Sequence, residues 1–294
     1  MERFPGIQVA VITPFGDSGE VDYERLAQHA DWLIENGVHG LVSPGTVGEY
    51  ASLTNEERGR VVETVVEAAN GRVPVTAGVA APSTAATVGW AQHALDSGAA
   101  AVMALPPINY NPTRREVVAY YQAISDVGLP IAAYNNPYDT ATDLTPEFLA
   151  ELSEIENFVA VKDFSGDVRR IAEIRELCDL EILAGVDDLA LEGFLAGATG
   201  CIAGFANALP KETVEIYDLA QAGKLEEAWT LYRRMLPLLR YDSMPRLVQA
   251  IKYAMELAGV PAGGTRPPRL PLEEDERREV QEAFAHFGAR QAAG

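Results

Sequence analysis

The chain has 294 residues, of which 48% are hydrophobic and 22% are charged, and its formal net charge is -20. The composition is that of a globular protein, and no stretch approaches the roughly 18 to 20 uninterrupted apolar residues of a membrane span. The negative charge repels nucleic acids and anionic membranes, because the basic residues form no stripe that would offset it.

Short apolar runs rich in valine, isoleucine and alanine recur along the chain and predict buried parallel strands. Eight such runs are present: Ile7 to Thr13, Gly40 to Ser43, Val73 to Val79, Ala101 to Leu105, Pro130 to Tyr134, Val159 to Lys162, Glu181 to Ala184 and Gly200 to Ala203. The segments between them carry apolar residues at helical spacing, for example Leu26, Ala30 and Leu33. Strand and helix are therefore predicted to alternate.

Start and stop signals support these helices. Thr54 with Glu57 three residues later fits a capping box. The pairs Thr145-Pro146 and Leu209-Pro210 place a proline at a first helical position. Glycines follow five of the helical segments, as expected where a helix ends: Gly37, Gly71, Gly98, Gly128 and Gly223.

Eight strand-helix units in series predict an α/β protein with a closed (β/α)8 TIM barrel over residues 1–223. Parallel strands need crossover connections, and closure removes both exposed sheet edges. The strand pattern then stops, and residues 224–294 are predicted to form an appended C-terminal helical region. Its three predicted helices are Leu225 to Leu239, Pro245 to Ala258 and Leu272 to Phe287.

The cysteine, histidine and N-terminal patterns indicate a cytoplasmic protein without a metal centre. Residues 1–6 contain no basic cluster followed by an apolar segment, so we expect no secretory signal. Cys178 and Cys201 lack the spacing of a zinc site, and both are expected to be packing residues rather than a disulfide. The scattered histidines form no ligand pair at helical spacing: His29, His39, His93 and His286.

Lys162 stands inside the apolar run that predicts the sixth strand. An ammonium group removed from water is costly, so a lysine at such a place tends to lose its proton near neutral pH. A neutral amine attacks ketones, and Lys162 is therefore the candidate nucleophile. The alternative is a structural lysine, either extended toward solvent or paired with Asp163 or Asp187.

Two further strand ends carry polar groups that can converge with Lys162, because the carboxyl ends of barrel strands face one mouth. Tyr134 ends the fifth strand, where its phenol suits proton transfer; the alternative is an aromatic residue whose hydroxyl bonds the backbone. Gly45-Thr46-Val47-Gly48-Glu49 follows the second strand. Its glycines allow backbone N–H groups to hold a carboxylate, and the Thr46 hydroxyl can join a proton relay.

Together these motifs resemble the dihydrodipicolinate synthase and N-acetylneuraminate lyase family of class I, Schiff-base aldolases. The matching segments are Gly45 to Glu49, Tyr134-Asn135-Asn136-Pro137 and Val161-Lys162-Asp163. The resemblance extends from the Val11-Ile12-Thr13-Pro14-Phe15 opening to the helical tail.

This resemblance implies a role for each matching position. It implies that Lys162 forms the Schiff base, that Tyr134 shuttles the proton and that Thr46 joins the relay. It also implies a carboxylate held by Gly45, Val47 and Gly48, and a substrate pocket lined by Gly185 and Ile202. A homotetramer or dimer with no cofactor, acting on a small 2-oxo acid or its cyclic imine, is the further expectation.

Three positions depart from the family pattern. Val47 replaces the second hydroxyl of the carboxylate loop, so only backbone N–H groups remain there. Asp139 stands where the synthases have an arginine for the carboxylate of aspartate semialdehyde, and its charge would repel that substrate. Asn109 occupies the place of the tyrosine that a neighbouring subunit lends to the relay, with Tyr110 displaced by one.

The finer activity is expected to be that of the family's 1-pyrroline-4-hydroxy-2-carboxylate deaminase branch, which serves hydroxyproline breakdown and yields 2,5-dioxopentanoate and ammonia. The segments that carry this resemblance are residues 105–110, 185–192 and 266–271. Two alternatives stay open. One is a pyruvate-dependent aldolase, sugar-acid lyase or 4-hydroxy-tetrahydrodipicolinate synthase with the same Schiff base, and the other is a non-catalytic barrel that binds a metabolite.

Overall fold

In the computed structural model, which describes residues 4–289, eight parallel strands close into a barrel in sequence order. The strands are β1 (Gly6–Ala10), β2 (Gly40–Ser43), β3 (Val75–Gly78), β4 (Ala101–Ala104), β5 (Ile131–Asn135), β6 (Phe158–Asp163), β7 (Glu181–Ala184) and β8 (Gly200–Ala203). The predicted (β/α)8 fold is confirmed.

Helices alternate with these strands and cover the outside of the barrel. They are α1 (Tyr23–Glu35), α2 (Asn55–Ala69), α3 (Thr84–Asp96), α4 (Arg114–Ser125), α5 (Pro146–Leu152), α6 (Arg169–Leu177), α7 (Ala190–Ala196) and α8 (Pro210–Gln221). Three helices follow, namely α9 (Leu225–Leu239), α10 (Leu247–Leu257) and α11 (Glu274–Ala289). None of the helices in the described part of the chain is long and apolar enough to cross a membrane.

The helix starts agree with the predicted signals. Thr54 and Glu57 form a reciprocal capping box at α2, and Thr145 caps α5 ahead of Pro146. The box and the cap each satisfy backbone N–H groups that have no partner inside the helix.

The predicted first strand was too long at its carboxyl end. Residues 11–13 are as buried as the strand itself, so their apolar character gives no stop signal. The strand nevertheless ends at Ala10. The N–H of Val11 makes one more bond to the Val42 carbonyl (3.0 Å), but the N–H of Ile12 donates to the side chain of Asn207 (3.2 Å) rather than to a neighbouring strand.

Barrel closure between β1 and β8 depends on a close approach of two backbones. Gly6 is in register with Gly200, and a Cβ atom at Gly200 would collide with the Gly6 carbonyl. Only glycine allows the strands to approach in this way.

The C-terminal helices are tied to the mouth of the barrel by buried charge. Lys252 of α10 donates to Glu49 (2.8 Å) and to the carbonyl of Thr13 (2.8 Å), and both charged side chains are almost fully buried. Removing one partner of such a pair leaves an uncompensated charge. The buried pair therefore holds the C-terminal region against the mouth of the barrel. The predicted domain boundary between residues 223 and 224 stays a prediction. Residues 1–3 and 290–294 of the two predicted domains lie outside the described part of the chain.

Candidate active site

A cavity of about 740 Å³ opens at the carboxyl ends of the barrel strands. Lys162 of β6, Tyr134 of β5 and Thr46 after β2 all line it, as the convergence of strand ends predicts. Its other wall comes from beyond the barrel, from residues 242–248 and Arg269. The cavity therefore combines barrel strand ends with the C-terminal region.

Lys162 is buried, with 7% of its surface exposed, and its amine opens to this cavity. Its Nζ lies 4.4 Å from the centre of the Tyr134 ring and 5.8 Å from that of Phe164. Within residues 4–289 the amine makes no hydrogen bond or salt bridge. Burial lowers the pKa of the Lys162 amine, against the opposing effect of the nearby Asp242 and Asp187 carboxyl groups. The amine thus lies next to two aromatic rings, has no ion-pair partner in the described part of the chain and is favoured in its neutral form.

Asp163 does not pair with Lys162, because successive side chains of a strand point to opposite faces. The Asp163 carboxylate accepts instead from Asn135 Nδ2 (2.8 Å) and Ser165 Oγ (2.6 Å). Asp187 is buried near the lysine, but it too makes no salt bridge with it within the described residues. The structural alternative for Lys162 therefore has no ion pair to support it.

Tyr134 lies beside Lys162, since the two residues are in register on β5 and β6. Its hydroxyl accepts a hydrogen bond from Asn136 Nδ2 (3.2 Å). Burial raises the pKa of the Tyr134 phenol well above its ordinary value. The phenol therefore keeps its proton at neutral pH and can donate it to a neighbouring oxygen or carbon.

The Gly45–Glu49 loop brings Gly45, Thr46 and Val47 to the cavity. The N–H groups of Thr46 and Val47 donate to no acceptor in the described chain. A Cβ atom at Gly48 would lie 2.9 Å from the Val11 carbonyl, so glycine is needed there for packing. The loop ends at Glu49, which has a left-handed backbone (φ 55°) and is held by Lys252.

The other predicted binding residues are placed differently. Asp139 lines the cavity and accepts from Asn136 Nδ2 (2.8 Å). Asn109 lines a side opening that it shares with Thr46 and Asp139, whereas Tyr110 is half exposed and lines neither space. Their part in substrate binding stays a prediction.

Gly185 and Ile202 do not line the cavity. A Cβ atom at Gly185 would lie 2.5 Å from the Asp163 carbonyl, so this glycine permits close approach of two strand ends. Ile202 is buried within β8, and the cavity is lined by the neighbouring Val186 and Gly204 instead.

Two buried carboxyl groups complete the site, and only one was considered from the sequence. Asp187 accepts from the backbone N–H groups of Phe205 (2.8 Å) and Gly204 (3.1 Å). Asp242 accepts from the N–H of Asp187 (3.0 Å) and lines the cavity. Burial raises the pKa of both carboxyl groups. No sequence signal identified Asp242, because it lies beyond the last strand and belongs to no strand-end pattern.

The mouth of the cavity carries charges of both signs. Asp139 and Asp188 supply carboxylates and Arg269 a guanidinium group. Arg269 forms no salt bridge with any residue from 4 to 289. An unpaired cation at a cavity mouth is suited to an anionic ligand group.

A model of the Dihydrodipicolinate synthetase family matches residues 3–287 of the chain. The chain belongs to this family. It is consequently an enzyme of the class I aldolase and lyase type, as the Lys162 motif predicted.

Individual relatives match over nearly their whole length. A 4-hydroxy-tetrahydrodipicolinate synthase from Jannaschia sp. (strain CCS1) is 37% identical over 287 residues, which are 97% of this chain and 99% of the relative. The crystal structure of a dihydrodipicolinate synthase from Bacillus anthracis matches with a TM-score of 0.93 at 32% identity, over 97% of this chain and 99% of that one. A family member from E. coli K12, solved in complex with pyruvate, has a TM-score of 0.93 at 26% identity, over 98% and 99%.

Proposed function

We propose that Lys162 forms a Schiff base with a small 2-oxo acid of the pyruvate class, and that the enzyme makes or breaks a carbon-carbon bond next to it. The observation that carries this proposal is the unpaired, buried Lys162 amine 4.4 Å from the Tyr134 ring, open to a cavity of about 740 Å³. The relatives support it, since one is a 4-hydroxy-tetrahydrodipicolinate synthase and another member of the family was solved in complex with pyruvate.

The chemistry follows from what each group can do. The neutral amine of Lys162 adds to the C2 carbonyl, and loss of water leaves an iminium ion that acts as an electron sink. The N–H groups of Thr46 and Val47, which donate to no acceptor in the described chain, are proposed to hold the substrate carboxylate. Removal of a C3 proton through Tyr134 and Thr46 then gives an enamine, which adds to an aldehyde or is reprotonated. The reaction involves no cofactor besides the lysine itself.

The part of the substrate farthest from Lys162 is proposed to contact Arg269 and Asp139. The synthases' arginine is replaced by Asp139, so a distal carboxylate requires a cation from elsewhere. Arg269 lines the same space and is the unpaired cation at its mouth. Arg269 could therefore hold the distal carboxylate in a synthase reaction like that of the relatives, although it stands at a different position from the synthases' arginine.

The second candidate is deamination of 1-pyrroline-4-hydroxy-2-carboxylate. The observation that favours it is the acidic wall formed by Asp139, Asp188 and Asp242, which suits a substrate carrying an amine and a leaving hydroxyl. Lys162 would open the ring at C2, water would leave from C4, and hydrolysis would release 2,5-dioxopentanoate and ammonia. Overall, one water is consumed and one ammonia is released per substrate.

Borohydride trapping tests the shared step. Wild-type protein treated with pyruvate and sodium borohydride is expected to gain the mass of one reduced pyruvyl group. Lys162→Met should gain none, and Lys211→Met, which removes an exposed lysine of α8, should behave as wild type. No adduct on the wild-type protein would refute the Schiff base.

Product analysis separates the two candidates. Pyruvate released from 4-hydroxy-2-oxo acids indicates carbon-carbon cleavage, and ammonia released from the hydroxypyrroline indicates deamination. The same assays, run on fractions separated by size-exclusion chromatography, show whether the active species is the expected homo-oligomer, a dimer or tetramer.

A further inference from the structure

Asp242 is an acid inside the cavity that the proposed chemistry has not yet used. It lies in the single turn Arg240–Ser243 between α9 and α10, outside the eight strand-helix units, and 7% of its surface is exposed. One oxygen, Oδ2, is fixed by the N–H of Asp187 at 3.0 Å. The carboxyl group is therefore held in one orientation by the backbone after β7.

The other oxygen of Asp242 is available to a ligand. Oδ1 accepts no hydrogen bond in the described chain, and it is not among the sealed polar atoms that lack a partner. It therefore borders the cavity. It lies 3.4 Å from the position that a Cβ atom at Gly204 would take, so the absence of a side chain there leaves this oxygen uncovered.

The titratable groups that face Asp242 are Lys162, Tyr134, Asp187, Asp188 and Cys201. Burial raises the pKa of the Asp242 carboxyl group, the Asp187 charge raises it further, and the Lys162 charge opposes both. When the Lys162-bound substrate is an enamine, its nitrogen is neutral and this opposing charge is absent. A protonated carboxyl group then faces the bound substrate.

We propose that Asp242 is an acid-base catalyst that exchanges a proton with the oxygen on C4 of the Lys162-bound substrate. The inference rests on the proposed function. Lys162, Tyr134 and Asp242 line the same cavity, with the Lys162 amine 4.4 Å from the Tyr134 ring. With C2 bound to Lys162 and C3 served by Tyr134, C4 is the next atom of the substrate, and we place it against the uncovered Asp242 Oδ1.

The proton balance is simple in each direction. During condensation the enamine C3 bonds the aldehyde carbon, and the aldehyde oxygen takes the proton of Asp242 to become the C4 hydroxyl. During cleavage the Asp242 carboxylate takes that proton back as the C3–C4 bond breaks. During deamination Asp242 protonates the C4 hydroxyl, which leaves as water. All three need one group near C4 that exchanges a proton, as an acid in condensation and deamination and as a base in cleavage.

Asp242→Asn tests this role, because asparagine keeps an oxygen for the Asp187 N–H and loses the exchangeable proton. Its matched control is Asp218→Asn, which neutralises an exposed carboxylate of α8. The first measurement is exchange of the C3 hydrogens of pyruvate with deuterated water, which needs the Schiff base but not C4. The second is turnover of a C4-hydroxylated probe, either 4-hydroxy-2-oxopentanoate with pyruvate release or 1-pyrroline-4-hydroxy-2-carboxylate with ammonia release.

We expect Asp242→Asn to exchange pyruvate hydrogens within about twofold of wild type, and to lose roughly 100-fold or more of its turnover at C4. Asp218→Asn should match wild type in both assays. The pH profile of C4 turnover should lose one limb in Asp242→Asn only. Formate added to Asp242→Ala should restore part of the C4 turnover, which a purely structural role would not allow.

The other outcomes are equally decisive. Equal losses in exchange and turnover would show that Asp242 serves the lysine, and no loss in either would show that it is not used; both overturn the inference. Wild-type protein that exchanges pyruvate hydrogens but acts on neither probe also overturns it. Wild-type protein that fails to exchange pyruvate at all would instead refute the proposed function, since the failure precedes any variant.

Discussion

The two walls of the cavity come from different parts of the chain. The barrel wall carries Lys162, Tyr134 and Thr46 at strand ends, where the fold alone places them. The opposite wall carries Asp242 and Arg269 from the region after the barrel. The barrel wall supplies the chemistry common to Schiff-base aldolases, and the second wall is where this chain can adapt to the remainder of its substrate.

The walls also differ in how they are held. The strand-end residues are fixed by the barrel ladder, in which Tyr134 and Lys162 are neighbours. The second wall is fixed by a few polar contacts, including the Asp187 N–H to Asp242 and the Lys252–Glu49 pair. Loss of a single contact should therefore displace the second wall more than it displaces the barrel wall.

The largest expected effect is that of Lys162→Met, which removes the nucleophile from the barrel wall. Turnover should fall by at least about 10⁴-fold, because no other group can form the iminium ion. The variant should also be more stable by roughly 1 to 2 kcal/mol at neutral pH, since a buried amine is costly. Thermal unfolding and single-turnover kinetics measure both.

The stability gained by Lys162→Met should depend on pH with a definite sign. Burial lowers the pKa of Lys162 in the folded protein. The unfolded chain then binds one more proton, so wild-type stability rises with pH until the unfolded lysine titrates near about 10.4. The advantage of Lys162→Met should shrink toward that pH. An advantage that grew with pH would contradict a depressed lysine pKa.

Breaking the tie between the walls should cost the most stability. Lys252→Met leaves Glu49 buried without its cation, at a cost of about 3 to 5 kcal/mol. Denaturant unfolding measures the loss. The double variant Lys252→Met with Glu49→Gln should recover part of it, and a single-variant loss below about 1 kcal/mol would mean that the pair does not hold the loop.

Tyr134→Phe keeps the ring beside Lys162 and removes the hydroxyl. We expect C3 hydrogen exchange of pyruvate to fall by about 10²- to 10³-fold, because the phenol carries the proton. Borohydride trapping should persist, since the ring contact and cavity remain. NMR of pyruvate in deuterated water gives the rate, and unchanged exchange would assign the relay to another group.

The smallest expected effect tests the second wall without any substrate. Burial raises the pKa of Asp242 in the folded protein, so the native state keeps a proton that the unfolded chain releases above about 3.9. Wild-type stability attributable to this group therefore falls with rising pH, by at most about 1.4 kcal/mol per pH unit in that window. Asp242→Asn should be more stable than wild type at neutral pH, by about 1 kcal/mol. The difference should vanish near pH 4, and a constant difference would contradict the buried acid.

The barrel wall could be predicted from the sequence because each of its parts is local. The apolar run around Lys162 specifies the strand, strand alternation turns Lys162 inward, and parallel strands bring Tyr134 beside it. The Thr54–Glu57 box likewise needs only four residues.

The second wall could not be predicted in this way. Asp242 is 80 positions from Lys162 in the printed sequence and meets it only through tertiary packing. The sequence around a buried acidic residue in a helical region also looks the same as the sequence around an acidic residue exposed to solvent. Even within the barrel, Val186 and Gly204 line the cavity where Gly185 and Ile202 were expected. Both lining residues follow the last residue of their strand, where the strand pattern no longer fixes the direction of the chain.

The most direct test of the Schiff base is to locate the trapped adduct on the chain. Wild-type protein reduced with borohydride in the presence of pyruvate, then digested and analysed by tandem mass spectrometry, should carry the reduced pyruvyl group on the peptide containing Lys162 and on that lysine alone. An adduct on Lys252 or Lys211, or an unmodified Lys162 in protein that still turns over substrate, would contradict the account.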